Sequence, residues 1–203
     1  MIAVVDYCAG NLRSVVRALN FLKIENEVTS DPKKIKKAAG VIVPGVGAAG
    51  TAMQNLQKAG LVEVLRQWCL EDKPFFGICL GLQILFEVSE EDNSKCLGVF
   101  EGSVKKFRAP KIKIPHIGWN QVDFLEPPPV LLDGVESGTP FYFVHSFFAN
   151  PIEQKLVVAT ATHGEIFPAV VNRGKVWGVQ FHPEKSGNVG FSIFKNFAKI
   201  AEG

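Results

Sequence analysis

The sequence predicts an α/β fold: a three-layer sandwich with a mainly parallel central sheet, flanked by helices and extended by an antiparallel strand section. Three observations predict it. The first half of the chain alternates short β-rich apolar runs with helical patterns, as successive βαβ units do. The second half is a series of strand-like runs cut by Pro, Gly and Asn turns. With 203 residues and 47% hydrophobic content, the chain can bury one substantial core but not two comfortable ones, so residues 1–203 are expected to form a single domain.

Taken in order, Met1 to Val5 reads as a strand, followed by a turn through Gly10-Asn11. An amphipathic helix then carries Leu12, Val15, Val16, Leu19 and Leu22 on its inner face. A second strand is expected near Glu27 to Thr29, and the basic stretch Pro32 to Lys37 reads as a solvated helical face. Gly40 to Val43 is a strand ending in Pro44-Gly45-Val46-Gly47, and Phe75 to Ile78 is another ending at Cys79. Both stop at Gly-rich turns before helical patterns, and in an open parallel sheet sites form outside the carboxyl ends of the strands. Val99 to Phe107, Gln121 to Leu125, Phe141 to Phe148, Leu156 to Thr162, Ala169 to Asn172 and Val176 to Phe181 are the expected strands of the second half. A helix near Val189 to Ala201 closes the chain, with Phe191, Phe194, Phe197 and Ala198 on one side. Pro127-Pro128-Pro129 reads as a rigid loop rather than a linker.

Composition excludes several function classes. A formal charge of +2, from 22 basic and 20 acidic residues, gives no electrostatic reason to expect nucleic acid or a membrane as partner. The N-terminus lacks a basic start and a long apolar run, and no apolar stretch approaches the roughly 20 residues of a membrane span, so a cytoplasmic location is expected. Cys8, Cys69, Cys79 and Cys96 form no CxxC pair and no zinc-finger spacing with His, which indicates neither a metal site nor a disulfide framework. No cofactor is expected. Cys69 and Cys96 read as small apolar residues of the interior.

Cys79 differs from the others. Gly77-Ile78-Cys79-Leu80-Gly81 follows a strand and opens a helix, matching the elbow that holds a nucleophile out into a cleft and needs small residues two positions either side. A helix N-terminus also favours the thiolate, and the Leu80 amide is the natural donor to an oxyanion. The same five residues are equally compatible with a buried Cys in a Gly-flanked turn. His182-Pro183-Glu184 follows a strand more than a hundred residues later. Proline pushes His182 into extended geometry, so His182 and Glu184 can project to one side, with the carboxylate holding the imidazole. The pair and the elbow together make a Cys-His-Glu triad. In Pro44-Gly45-Val46-Gly47 glycine lets a backbone amide turn toward a substrate oxygen, and the Val46 amide, next to Gly47, is the candidate second oxyanion donor.

An oxyanion turn, a GxCxGxQ elbow and a terminal HPE, in this order and over nearly the whole chain, resemble the class I (triad) glutamine amidotransferases. That resemblance implies that Gln83 and Glu91 contact the substrate, Glu91 at its amino group. Four further segments are similar to the glutaminase subunits of imidazole glycerol phosphate synthases. They are Asp6 to Val15, Pro115-His116-Ile117-Gly118-Trp119-Asn120, Tyr142-Phe143-Val144-His145-Ser146 and His182-Pro183-Glu184-Lys185-Ser186. By the same resemblance Ser146 would help hold the glutamine backbone, and Trp119, Asn120, Tyr142 and Lys185 would face a (β/α)8-barrel cyclase subunit in a heterodimer. Ordinary aromatic packing is the competing reading for Trp119 and Tyr142. His116, His145 and His163 read as structural histidines. Cys8 stands where that subfamily usually has Gly, and Ala49 where a Phe is common.

The implied reaction is hydrolysis of glutamine to glutamate and ammonia through a glutamyl thioester on Cys79, with the ammonia passing to the cyclase in histidine biosynthesis. Relatives of this kind are often nearly silent until partner and nucleotide bind. Competing readings are a glutaminase subunit for another synthase, such as anthranilate synthase, and a non-catalytic module that kept the fold. A serine-hydrolase-like esterase fits poorly, because the elbow carries Cys and Gln83 follows it.

Overall fold

Strands buried on both faces lose the polar-apolar alternation of half-exposed strands, and that explains the continuous apolar runs in the first half. The computed structural model describes residues 1–8, 10–110, 112–125 and 127–203. Ala9, inside the opening turn singled out above, lies outside the described residues. The parallel section comprises β1 (Ile2–Val5), β2 (Asn26–Thr29), β3 (Gly40–Gly45) and β4 (Phe75–Cys79). Its helices are α1 (Leu12–Phe21), α2 (Pro32–Lys37), α3 (Ala49–Lys58), α4 (Val62–Leu70) and the single turn α5 (Leu80–Gln83).

The two sides of these strands feed different cores. Ile2, Val4, Phe76 and Ile78 face α1 and the C-terminal helix α6 (Gly187–Glu202), whereas Ala3, Val5, Val41, Val43 and Phe75 face α2, α3 and α4. Helix, sheet and helix make the three layers.

The second half contributes β5 (Val88–Ser89), β6 (Ser94–Lys95), β7 (Gly102–Lys106), β8 (His116–Phe124), β9 (Thr139–His145), β10 (Phe147–Pro151), β11 (Val157–His163), β12 (Glu165–Arg173) and β13 (Val176–Val179). Among the described residues the main sheet runs β2-β1-β3-β4-β13-β12-β11-β8-β9, and a smaller sheet runs β10-β7-β5-β6. Pairing is parallel from β2 to β13 and antiparallel from β13 onward. The expected class is therefore present, with a second sheet that the sequence does not announce.

Several boundaries differ from the sequence reading, β12 among them, which begins at Glu165 rather than Ala169. The run Phe141 to Phe148 is two strands in two sheets. β9 pairs with β8, the chain turns at Ser146, and β10 pairs with β7, with no Gly or Pro to mark the corner. The run from Val99 becomes a strand only at Gly102, because the buried Phe100 packs edge-on against Phe86 from a bend. β8 begins at His116, five residues before the expected Gln121. β5 and β6 have two residues each, too short to display any period.

Among the described residues no helix is long and apolar enough to cross a membrane. Phe76 ties the sheet to the last helix. Its fully buried ring lies 5.1 Å from Phe197 and 6.1 Å from Phe194, centroid to centroid. Phe76→Ala is expected to cost about 3–5 kcal/mol in urea denaturation; a loss below about 1 kcal/mol would show that α6 is not pinned through this ring.

Candidate functional site

Cys79 ends β4 with φ 53° and ψ −102°, a conformation that side-chain-bearing residues rarely hold. Parallel neighbours on both edges hold it there, since Gly45 of β3 is in register with Cys79 and Val179 of β13 with Ile78. The flanking glycines are required sterically: a Cβ on Gly77 would strike the Gly81 carbonyl, and one on Gly81 would strike the Val43 carbonyl. The helix that follows has only four residues. The expected macrodipole is therefore small, and what remains at the sulfur is the local backbone amides.

His182 and Glu184 meet as the sequence suggests, but by a different route. His182 is extended, with φ −104° and ψ 95°, and Pro183–Lys185 then coils into a 3-10 turn rather than continuing the strand. His182 Nδ1 lies 2.7 Å from Glu184 Oε1, and both side chains are fully buried. The same oxygen accepts from Asn11 Nδ2, which also lies 3.4 Å from His182 Nδ1. Asn11 stands in the left-handed region at φ 76°, at the N-cap of α1, a conformation its short polar side chain tolerates. A ring of bonds fixes the backbone: His182 N donates to Tyr142 O (2.8 Å), Ser186 Oγ to His182 O (2.7 Å) and Tyr142 N to Ser186 Oγ (3.0 Å).

The other ring nitrogen, Nε2, is buried and makes no well-formed hydrogen bond. Burial alone would lower the His182 pKa. The nearby Cys79 sulfur, as charge and as a close polar neighbour, outweighs that together with the Glu184 carboxylate, and the pKa is raised to about 10. The sulfur has further polar neighbours in Gln180 Nε2 at 3.5 Å and the Val144 carbonyl at 3.9 Å.

A cavity of about 340 Å³ opens over Cys79, within the range of small-molecule sites. Its wall gathers Val46, Gly47, Leu80, Gln83, Glu91 and Ser146, drawn from four different segments. Gly47 has φ 103°, which glycine adopts at no steric cost. Below it, the buried Tyr7 hydroxyl donates to Pro44 O at 2.8 Å, anchoring the start of the turn. Gln83 is buried, and its Nε2 donates inward to Phe147 O (2.8 Å) and Gln180 Oε1 (3.1 Å). One Glu91 oxygen accepts from Ala49 N at the start of α3 (2.9 Å).

Trp119, Tyr142 and Lys185 form one outer face. Trp119 is 57% exposed, which removes the core-packing reading; it meets Tyr142 edge-on at 6.1 Å, and Lys185 Nζ lies 5.7 Å from the Tyr142 ring. Asn120 turns away from them. Its Nδ2 donates to Thr162 O (2.8 Å) and contacts His116 Nε2 (3.3 Å). The residues that sequence reasoning missed are Tyr7, Asn11 as a partner of the His-Glu pair, and Gln180. Tyr7 and Asn11 sit inside the segment Asp6 to Val15 noted above, and Gln180 in the strand expected before His-Pro-Glu.

The glutamine amidotransferase class-I family model matches residues 3–201. Among similar proteins, imidazole glycerol phosphate synthase subunit HisH of Moorella thermoacetica is 48% identical over 200 residues, covering 98% of this chain and 94% of the relative. The same-named subunit of Dehalococcoides mccartyi strain CBDB1 is 44% identical over 204 residues, covering 100% and 98%. Among solved structures, a glutamine amidotransferase superposes with a TM-score of 0.77 at 21% identity, covering 100% of both chains. PurLQS from Thermotoga maritima gives 0.75 at 21%, covering 98% and 97%. At such identity these two structures speak for the fold alone.

Beside the cavity, the three remaining histidines share one cluster. Phe147 O requires a proton on His145 Nδ1 (2.8 Å), so His145 Nε2 accepts from His116 Nδ1 (3.0 Å), whose Nε2 accepts from Asn120. Burial, opposed by the bond to the Phe147 carbonyl and reinforced by the neighbouring histidines, lowers the pKa of His145 to about 3; burial and the neighbouring His163 lower that of His116 to about 4. Because the unfolded chain takes up these protons near pH 6.5 and the folded one does not, their contribution to stability is present above 6.5 and is lost as pH falls toward 4. The urea midpoint should fall between pH 7 and 5, with both rings remaining neutral Nδ1–H tautomers by ¹⁵N NMR at pH 5.5; imidazolium signals from either at that pH would contradict the cluster.

Proposed function

This chain belongs to the glutamine amidotransferase class-I family, and from that premise we propose that it is the glutaminase subunit of an imidazole glycerol phosphate synthase, hydrolysing glutamine to glutamate and ammonia. In this reading residues 1–203 are one domain, the location is the cytoplasm, and the partner is a (β/α)8-barrel cyclase bound as a heterodimer. The ammonia serves imidazole glycerol phosphate formation in histidine biosynthesis. Trp119, Tyr142 and Lys185 face the cyclase, and Asn120 supports that face from behind through the histidine cluster. The observation that carries the reading is the meeting of Cys79, His182 and Glu184 beside a cavity sized for an amino acid.

In the mechanism, the Cys79 thiolate attacks the side-chain carboxamide carbon of glutamine. The Leu80 amide and the Val46 amide, set by the freedom of Gly47, stabilise the oxyanion that develops. As the C–N bond breaks, the His182 imidazolium gives its Nε2 proton to the departing nitrogen, leaving ammonia and a glutamyl thioester. The proton affinity of His182 then changes in the useful direction. Its raised pKa depends first on the negative sulfur, and a thioester carries no such charge. The ring becomes a base, takes a proton from water, and hydroxide attacks the thioester. Breaking the C–S bond releases glutamate and restores the thiolate-imidazolium pair. Glu91 and Ser146 hold the amino and backbone groups of the substrate, and Gln83 closes the inner wall beside the reacting amide.

Ammonia released to bulk water at neutral pH becomes ammonium, which is not nucleophilic, so direct delivery to a bound partner makes chemical sense. Cys79→Ala should lower glutamate release by the assembled enzyme at least about a thousandfold, while imidazole glycerol phosphate formation from added ammonium salts continues. Glutamate release by Cys79→Ala above a tenth of the wild-type rate would overturn the assignment of the nucleophile.

A further inference from the structure

The chain of buried amides behind the cavity has only one possible polarity. Phe147 contributes a carbonyl oxygen, so the Gln83 side chain must present its NH2 group there (2.8 Å). That group's second hydrogen points to Gln180 at 3.1 Å, so Gln180 must answer with its carbonyl oxygen. The Gln180 NH2 group is then the end that faces the Cys79 sulfur, at 3.5 Å. A backbone carbonyl thus dictates, through two side chains, that a hydrogen-bond donor is aimed at the reactive atom. Gln180 is fully buried, and β13 beside β4 sets its place, since Val179 is in register with Ile78.

A neutral thiol is a poor acceptor, and a buried N–H left with a poor acceptor costs free energy, whereas a thiolate accepts a charge-assisted bond. We propose that Gln180 is a further catalytic residue, whose side-chain amide stabilises the Cys79 sulfur as an anion both before attack on the substrate and as it leaves the glutamyl thioester. The inference rests on the reading of Cys79 as the nucleophile. Gln180 transfers no proton: it donates one hydrogen bond to sulfur while the S–C bond forms and again while it breaks. Gln83 acquires a second task, as the positioning residue that fixes which end of Gln180 meets the sulfur.

Gln180→Glu separates this role from simple packing. The variant retains an acceptor for Gln83 and nearly the same volume, but it sets a carboxylate where the donor was. Gln180→Met removes the donor without adding charge. With melting midpoints confirming that each variant is folded, iodoacetamide alkylation of Cys79 at pH 7 should slow about tenfold or more in Gln180→Met and further in Gln180→Glu. In the assembled enzyme kcat should fall comparably, with KM changed less than about twofold. Wild-type rates of alkylation in either folded variant would overturn the proposal. A measurement on the unmodified chain stands beside it should neither variant fold: the Gln180 side-chain ¹⁵NH2 resonances should shift when Cys79 is alkylated, and unmoved resonances would overturn it. Failure of the wild-type chain to alkylate at Cys79 would instead remove the nucleophile reading, and the proposal with it.

Discussion

The proposed chemistry of this molecule depends on one electrostatic interaction, the pull of the Cys79 sulfur on the proton of His182. Burial works against a charged imidazole, and the ring is fully buried. It is protonated near neutrality because the sulfur stands beside it, with the Glu184 carboxylate on the far side. Neither partner is close to the other in the chain. Parallel pairing of β4 with β13 brings residues 79 and 180 to adjacent strand ends, and everything between them loops out to build the antiparallel section and the smaller sheet. The left-handed turn at Cys79, possible only between Gly77 and Gly81, then directs the sulfur into the cleft.

The segment that carries the imidazole is also fastened to the outer face of the protein. Tyr142 accepts from the His182 amide and donates to Ser186, which in turn holds the His182 carbonyl. The ring of the same tyrosine lies outside, between Trp119 and Lys185. One residue of β9 thus touches the backbone of the His-Pro-Glu turn and contributes to the proposed docking face. On the other side, Asn11 reaches Glu184 from the first helix, and the neighbouring Tyr7 anchors Pro44 at the base of the proposed oxyanion turn. The turn after β1 therefore touches both halves of the proposed site.

Much of this is legible in the sequence, and what is legible is local. The elbow can be read because backbone crowding restricts positions 77 and 81, and the parallel strands can be read because burial on both faces makes them continuously apolar. His182 and Glu184 lie two residues apart, so their meeting is foreseeable even though the connecting turn is 3-10 rather than extended. What stays hidden depends on distant partners. The direction of the Gln83 and Gln180 amides is set by a carbonyl at position 147, and the inward turn of Asn120 by His116 and Thr162. The corner at Ser146 carries no turn residue, and the two-residue strands β5 and β6 are held by pairing alone, β5 on the edge of β7 and β6 on the edge of β5.

The most direct measurement is a ¹⁵N NMR titration of the His182 ring in the wild-type chain and in Cys79→Ala. The account predicts an imidazolium that persists to about pH 10 in the wild type, and a midpoint that drops sharply in Cys79→Ala, where burial is opposed by Glu184 alone. Equal midpoints in the two proteins would contradict it, because the sulfur would then have no hold on the proton.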